Sequence, residues 1–220
     1  MADGDWFRGP ATDARAIDAF EQRLSRATAQ KRPQYLRIKA TEILDQSDDP
    51  DAWHVARSLL ARVVDDYPDS LDAVMAHHGL ARYHRRLSHW DAALREYQLA
   101  IDLSLPGRSG GTGIEEVDMG EVLIDRSAPG DAIRALELLA SEHLLSKSHF
   151  NSTLFRIALC QARARSRLGL DPSVPAREAL RLASITDPQL PRHPTVGRVE
   201  TDARTLNELE RYAQAESSDS

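Results

Sequence analysis

Two long runs of this sequence carry bases without acids. Between Asp72 and Asp91 stand Arg82, Arg85, Arg86 and the histidines at 77, 78, 84 and 89, with no carboxylate among them. Between Glu142 and Asp171 stand Lys147, Arg156, Arg163, Arg165 and Arg167, again with no carboxylate. At helical spacing His78, Arg82, Arg85, Arg86 and His89 share one stripe, opposite Ala76, Leu80, Tyr83 and Leu87. Arg156, Arg163 and Arg167 likewise fall together. Guanidinium groups aligned in this way take carboxylates through charge-assisted hydrogen bonds. His78, Arg82, Arg85, Arg86, Arg156, Arg163 and Arg167 are therefore the candidate partner-binding residues, and an acidic protein or peptide is the partner they would suit. The competing use is structural. Segment 114–126 carries Glu115, Glu116, Asp118, Glu121 and Asp125 and could neutralise both basic runs. Surface ion pairs of that kind contribute only about 0–1 kcal/mol each.

Catalytic chemistry has little to stand on. The segment GRSGGTG lacks the Lys-Ser/Thr ending and the preceding strand of a phosphate-binding loop. There is no HExxH, and Glu142-His143 is isolated. His77 and His84 could share a helical face, but two turns separate them, too far for one metal ion. Cys160 sits in IALCQARA, a helix interior, where a small buried thiol is the expectation. Trp53 and Trp90 begin helices and are expected in the core. No catalytic residue, metal site or cofactor is assigned.

Composition narrows the partner class. Of 220 residues, 41% are hydrophobic, 28% charged and 5% aromatic, and the net charge is −6. A negative chain gives no electrostatic reason to expect nucleic acid or an anionic membrane. A single cysteine excludes an intrachain disulfide and a multi-cysteine metal site. No apolar run approaches the ~20 residues of a membrane span, and MADGDWFRGP lacks the apolar region of a secretory signal. The expectation is a soluble, cytoplasmic protein.

The elements that must position the basic residues are all helical. Ala, Leu and Arg are plentiful and β-branched residues sparse. A short lead, 1–12, holds Trp6 and Phe7, expected to dock on the first helices. Thr12 or Asp13 caps a first helix with Ile17, Phe20, Leu24 and Ala27 on its buried stripe. A second helix runs over 32–45 with Pro33 in its first turn, and a third follows Asp49-Pro50 to about 66. Ser70 is expected to cap the next, and 90–103 forms its pair. Glycine-rich 105–113 reads as an exposed loop. Further helices are expected over 114–126, 131–145, 151–168, 172–185 and 199–215. The proline-rich 187–196 is extended or turned, and the tail 216–220 disordered.

One pattern recurs: a small residue, a large apolar one four later and another apolar one three further on. It starts at Ala56, Ala93, Ala132 and Ala176. Trp90-Asp91-Ala92-Ala93-Leu94-x-x-Tyr97-x-x-Ala100-Ile101-x-Leu103 resembles the second helix of a tetratricopeptide repeat. Leu80-Ala81 falls where that family's Leu-Gly pair lies, and Pro68 matches its repeat-ending proline. The intervals here are longer and less even than the family's 34 residues. Trp6-Phe7 and Arg192–Gly197 resemble segments of bacterial proteins of this kind. The resemblance implies an all-α, right-handed α-α superhelix of about four helix pairs in a single domain. Residues 1–30 would form a lead and capping helix, 31–186 the repeats and 187–215 a C-terminal cap. It also implies a concave groove lined by the first helix of each pair. Function would then be a non-catalytic protein-protein interaction module, adaptor or scaffold, monomeric or homodimeric, with the arginines in that groove. A regulatory or inhibitor (immunity-type) repeat protein is the alternative, and an enzyme on a helical scaffold the least favoured reading.

Overall fold

A computed structural model describes residues 5–104, 114–141, 144–145, 149–190, 192–193 and 195–215. The expected loop 105–113 and tail 216–220 lie outside the described residues. Among those described there are ten helices and no strand. The chain forms two compact units, Met1–Gly111 and Thr112–Ser220.

The first unit holds α1 (Ala14–Arg26), α2 (Arg32–Gln46), α3 (Pro50–Asp66), α4 (Leu71–Arg86) and α5 (Trp90–Leu103). Asp13 caps α1, its carboxylate accepting from Ala16 N–H at 3.0 Å, and Asp49 caps α3 by accepting from Asp51 N–H at 3.0 Å. Ser70 stands at the cap position of α4 but makes no capping bond, and its hydroxyl is buried without a partner. The connections 47–49, 67–70 and 87–89 are short, so consecutive helices run antiparallel and pack on one another. Leu36, Ile43, Leu60, Val63 and Ala76 meet in the core. Ala93, Tyr97 and Ala100 are fully buried along α5, the small-aromatic-small face expected of it. α4 is buried almost all round, and Gly79 permits the close approach of α3. A Cβ there would sit 2.8 Å from Leu60 Cδ1.

The N-terminal lead is fastened from below. Trp6 packs against Phe20 and Tyr35, with ring centroids 5.5 and 5.0 Å away, and Phe7 stacks on Tyr35. Lys39, buried on α2, donates from Nζ to the carbonyls of Gly9 and Ala11 at 2.8 Å each. Burial lowers its pKa, although Asp13 and Glu42 oppose the shift.

The second unit holds α6 (Ile114–Arg126), α7 (Asp131–Leu139), α8 (Asn151–Arg167), α9 (Ser173–Ala183) and α10 (Ala203–Ala213). α7 stops at Leu139, short of the expected 145, and α10 starts after its cap Asp202 rather than at Val199. The α6–α7 turn is locked by Asp131, whose carboxylate accepts from Arg126 Nε at 2.9 Å and from Ala128 N–H at 2.8 Å. Arg126 accordingly holds that carboxyl below its usual range. Gln189 and Gly197 lie beside the start of α8. Gln189 Oε1 accepts from Asn151 N–H at 2.6 Å, and the Gly197 carbonyl accepts from Ser152 N–H at 3.0 Å. Phe155, Ala158, Ala162, Ala176, Leu182 and Leu209 form the core beneath α8, α9 and α10.

Candidate functional site

The arginines of the two basic runs do not share one environment. On α4, Arg82 donates to Asp45 at the end of α2. Arg86 lies 5.0 Å from the centroid of the Trp53 ring and reaches the Ser47 carbonyl at 3.4 Å. Trp53 is half-buried and packs against the first-unit core, and its own indole N–H donates to that carbonyl at 2.7 Å. Arg85 is half-buried. His78 is 9% exposed, its ring 5.7 Å from that of Tyr97. The acid-free run of α4 therefore sits largely inside the first unit, against the C-terminal end of α2 and the start of α3.

On α8 the three candidates separate. Arg156 reaches across to α6, where Nε donates to Glu121 at 2.6 Å and a second nitrogen donates to Asp118. Burial alone would lower its pKa, but the two carboxylates outweigh that and raise it. Here the acidic helix 114–126 meets a basic run of the same unit. Further along, Arg163 forms a fork with Glu208 of α10, Nε at 3.0 Å and Nη2 at 2.7 Å. Tyr212 donates to the same carboxylate at 3.1 Å. The Arg163 hydrogen bond holds Glu208 below the usual carboxyl range against the opposing effect of burial. Arg167 donates to the Ile124 carbonyl near the end of α6, a cation at a helix C-terminus.

Arg163 and Arg167 open onto a cleft of about 520 Å³ in the second unit. Ile124 and Asp125 of α6 form one side. The other is the face of α10 that carries Arg204, Thr205, Glu208, Arg211 and Tyr212, with Asp202 at its end. Four guanidinium groups thus line one polar cleft alongside three carboxylates. Arg204 and Arg211 are exposed, and Arg211 Nε donates to the Asn207 carbonyl of its own helix, at 3.4 Å. Arg156 is not part of this cleft. The cleft residues of α10 escaped the sequence reading because Glu208 and Glu210 interrupt any acid-free run there. The available signal was the spacing 204, 208 and 211, which places Arg, Glu and Arg on one face.

Cys160 is buried, and burial pushes its thiol up to about 12. Among the described residues, no group of three or more His, Cys, Asp or Glu is placed to hold a metal ion. His77 Nδ1 instead pairs with Glu96 at 2.7 Å, and Tyr83 with His54 at 2.8 Å. No helix among the described residues is long and apolar enough to cross a membrane. No protein-family model matches the chain, nor does any curated protein or solved structure.

Proposed function

We propose that this chain is a non-catalytic interaction module that takes an acidic segment of a protein partner in the cleft between α6, α8 and α10. The observation that carries the reading is the convergence there of Arg163, Arg167, Arg204 and Arg211, four guanidinium groups against three carboxylates, in a chain of net charge −6. Guanidinium groups favour carboxylates in bidentate geometry. Arg82 and Arg86 already hold partners within the first unit, so a ligand carboxylate would have to displace those contacts. In the second-unit cleft Arg204 and Arg211 are exposed, and the contact to be displaced at Arg211 is one 3.4 Å bond to a carbonyl of its own helix. A tetratricopeptide-like architecture, with the pairs α2–α3, α4–α5, α6–α7 and α8–α9 as repeats of a right-handed superhelix, belongs to the same proposal. Its support is the recurring small-large-apolar face and the consecutive packing of helices within each unit. Cytoplasmic residence is part of this reading.

The test is the affinity of glutamate-containing peptides for the whole chain and for Arg204→Ala/Arg211→Ala. The expected result is a loss of at least tenfold in the double variant, with helical content unchanged. Equal affinity for both proteins excludes the cleft as the site.

A further inference from the structure

The cleft face of α10 sets more than a sign of charge. Arg204, Glu208 and Arg211 follow one another along it at spacings of four and three, so all three face the cleft. Arg204 and Arg211 stand two turns apart, about 10.5 Å of helical rise. Between them Glu208 is already engaged in the fork with Arg163 and bonded by Tyr212. Along this face of α10 the order is therefore positive, closed, positive, while Asp202 before Arg204 and Asp125 on α6 add negative charge to the same cleft. A carboxylate at the middle of the face meets Glu208, and one beside Arg204 or Arg211 meets a guanidinium.

We infer that the ligand is an extended peptide with acidic side chains at positions n and n+3 and uncharged residues between them. This rests on the reading of the cleft as a carboxylate site. A polyproline-II segment repeats every three residues and rises about 3.1 Å per residue. Its n and n+3 side chains thus lie on one face about 9.3 Å apart, close to the spacing of the two arginines. Neighbouring acids would be only about 3.1 Å apart in rise and cannot reach both ends. A helical ligand matches the spacing only at n and n+7, so it must order eight residues to present the two carboxylates that an extended segment presents with four.

Four blocked peptides test this by calorimetric titration against the full chain: one with a Glu-Pro-Pro-Glu centre, one with Pro-Glu-Glu-Pro, one with Glu-Glu-Glu-Glu, and a helical peptide with glutamates seven apart. The Glu-Pro-Pro-Glu peptide should bind at least fivefold tighter than Pro-Glu-Glu-Pro. The four-glutamate peptide should bind no tighter than Glu-Pro-Pro-Glu despite carrying twice the charge. In R204A/R211A the Glu-Pro-Pro-Glu advantage should vanish. A four-glutamate peptide that binds tightest overturns the spacing, because an undifferentiated basic patch responds to charge alone. Equal binding of all peptides, lost in R204A/R211A, also overturns the spacing while leaving the carboxylate cleft intact. Tightest binding by the helical peptide overturns the extended ligand. Absence of binding by any of the four overturns both the spacing and the cleft reading.

Discussion

Arg163 of α8 and Glu208 of α10 are joined by two parallel hydrogen bonds, at 3.0 and 2.7 Å, across 45 residues of sequence. The side chains are 29% and 19% exposed, so the pair is neither a free surface contact nor a fully desolvated one. It fastens a terminal helix whose one buried residue is Leu209. It also neutralises one of the four cationic groups of the cleft.

Replacing Glu208 with Gln should therefore act twice. Loss of a charge-assisted fork should lower stability by about 1–2 kcal/mol, read by urea unfolding. The same change leaves Arg163 uncompensated in the cleft, so glutamate peptides should bind tighter. Because the folded-state pKa of Glu208 is depressed, its contribution to stability is present above the unfolded value near 4.3 and is lost as pH falls through the folded value. Glu208→Gln should flatten that acid limb.

Arg156 predicts a larger effect. Asp118, 7% exposed, and Glu121 both accept from it. Arg156→Met removes the cation they share and should cost about 3 kcal/mol at neutral pH. Adding Asp118→Asn and Glu121→Gln should recover most of that loss, which a comparison of unfolding midpoints for the single and triple variants checks.

His84 should make the first unit sensitive to mild acid. Its Nδ1 is buried without a partner. Burial lowers its pKa against the pull of Glu96, and His89, Arg57 and Arg95 lower it further. With the folded value below the unfolded value near 6.5, the unfolded chain binds more protons between the two. Stability should thus fall as pH drops below about 6.5, and His84→Gln should reduce that slope in unfolding curves measured from pH 8 to pH 5.

Gly79 tests the packing of α3 on α4. In an open helix Gly→Ala stabilises by about 1 kcal/mol. Here the added Cβ meets Leu60, which is fully buried and has little room to turn aside. Overpacking of about 1–3 kcal/mol should outweigh the propensity gain, so Gly79→Ala should lower the thermal midpoint. Leu60→Ala in the same chain should make the glycine substitution favourable.

Much of the helical framework was legible because its signals are local. Asp13 and Asp49 cap where their positions before helical patterns placed them, and Ala93, Tyr97 and Ala100 are buried on the face their spacing defines. The site was legible only in part. Arg163 and Arg167 stood out as bases in an acid-free run, yet nothing local to them reveals that Glu208 closes on one and the Ile124 carbonyl on the other. Arg204 and Arg211 were hidden by the acids beside them. Ion pairing is decided by which helix faces meet after folding, and sequence periodicity does not carry that information. Lys39 shows the same limit: a lysine amid apolar residues turned out to hold two backbone carbonyls of the N-terminal lead.

The central claim is that acidic ligands are held by the α8–α10 cleft and not by the basic run of α4. Titrating the Glu-Pro-Pro-Glu peptide into ¹⁵N-labelled protein and following the arginine Nε–H resonances tests it most directly. Arg204 and Arg211 should shift in a saturable manner while Arg82 and Arg86 stay in place. Saturable shifts at Arg82 and Arg86, with Arg204 and Arg211 unmoved, would contradict the account.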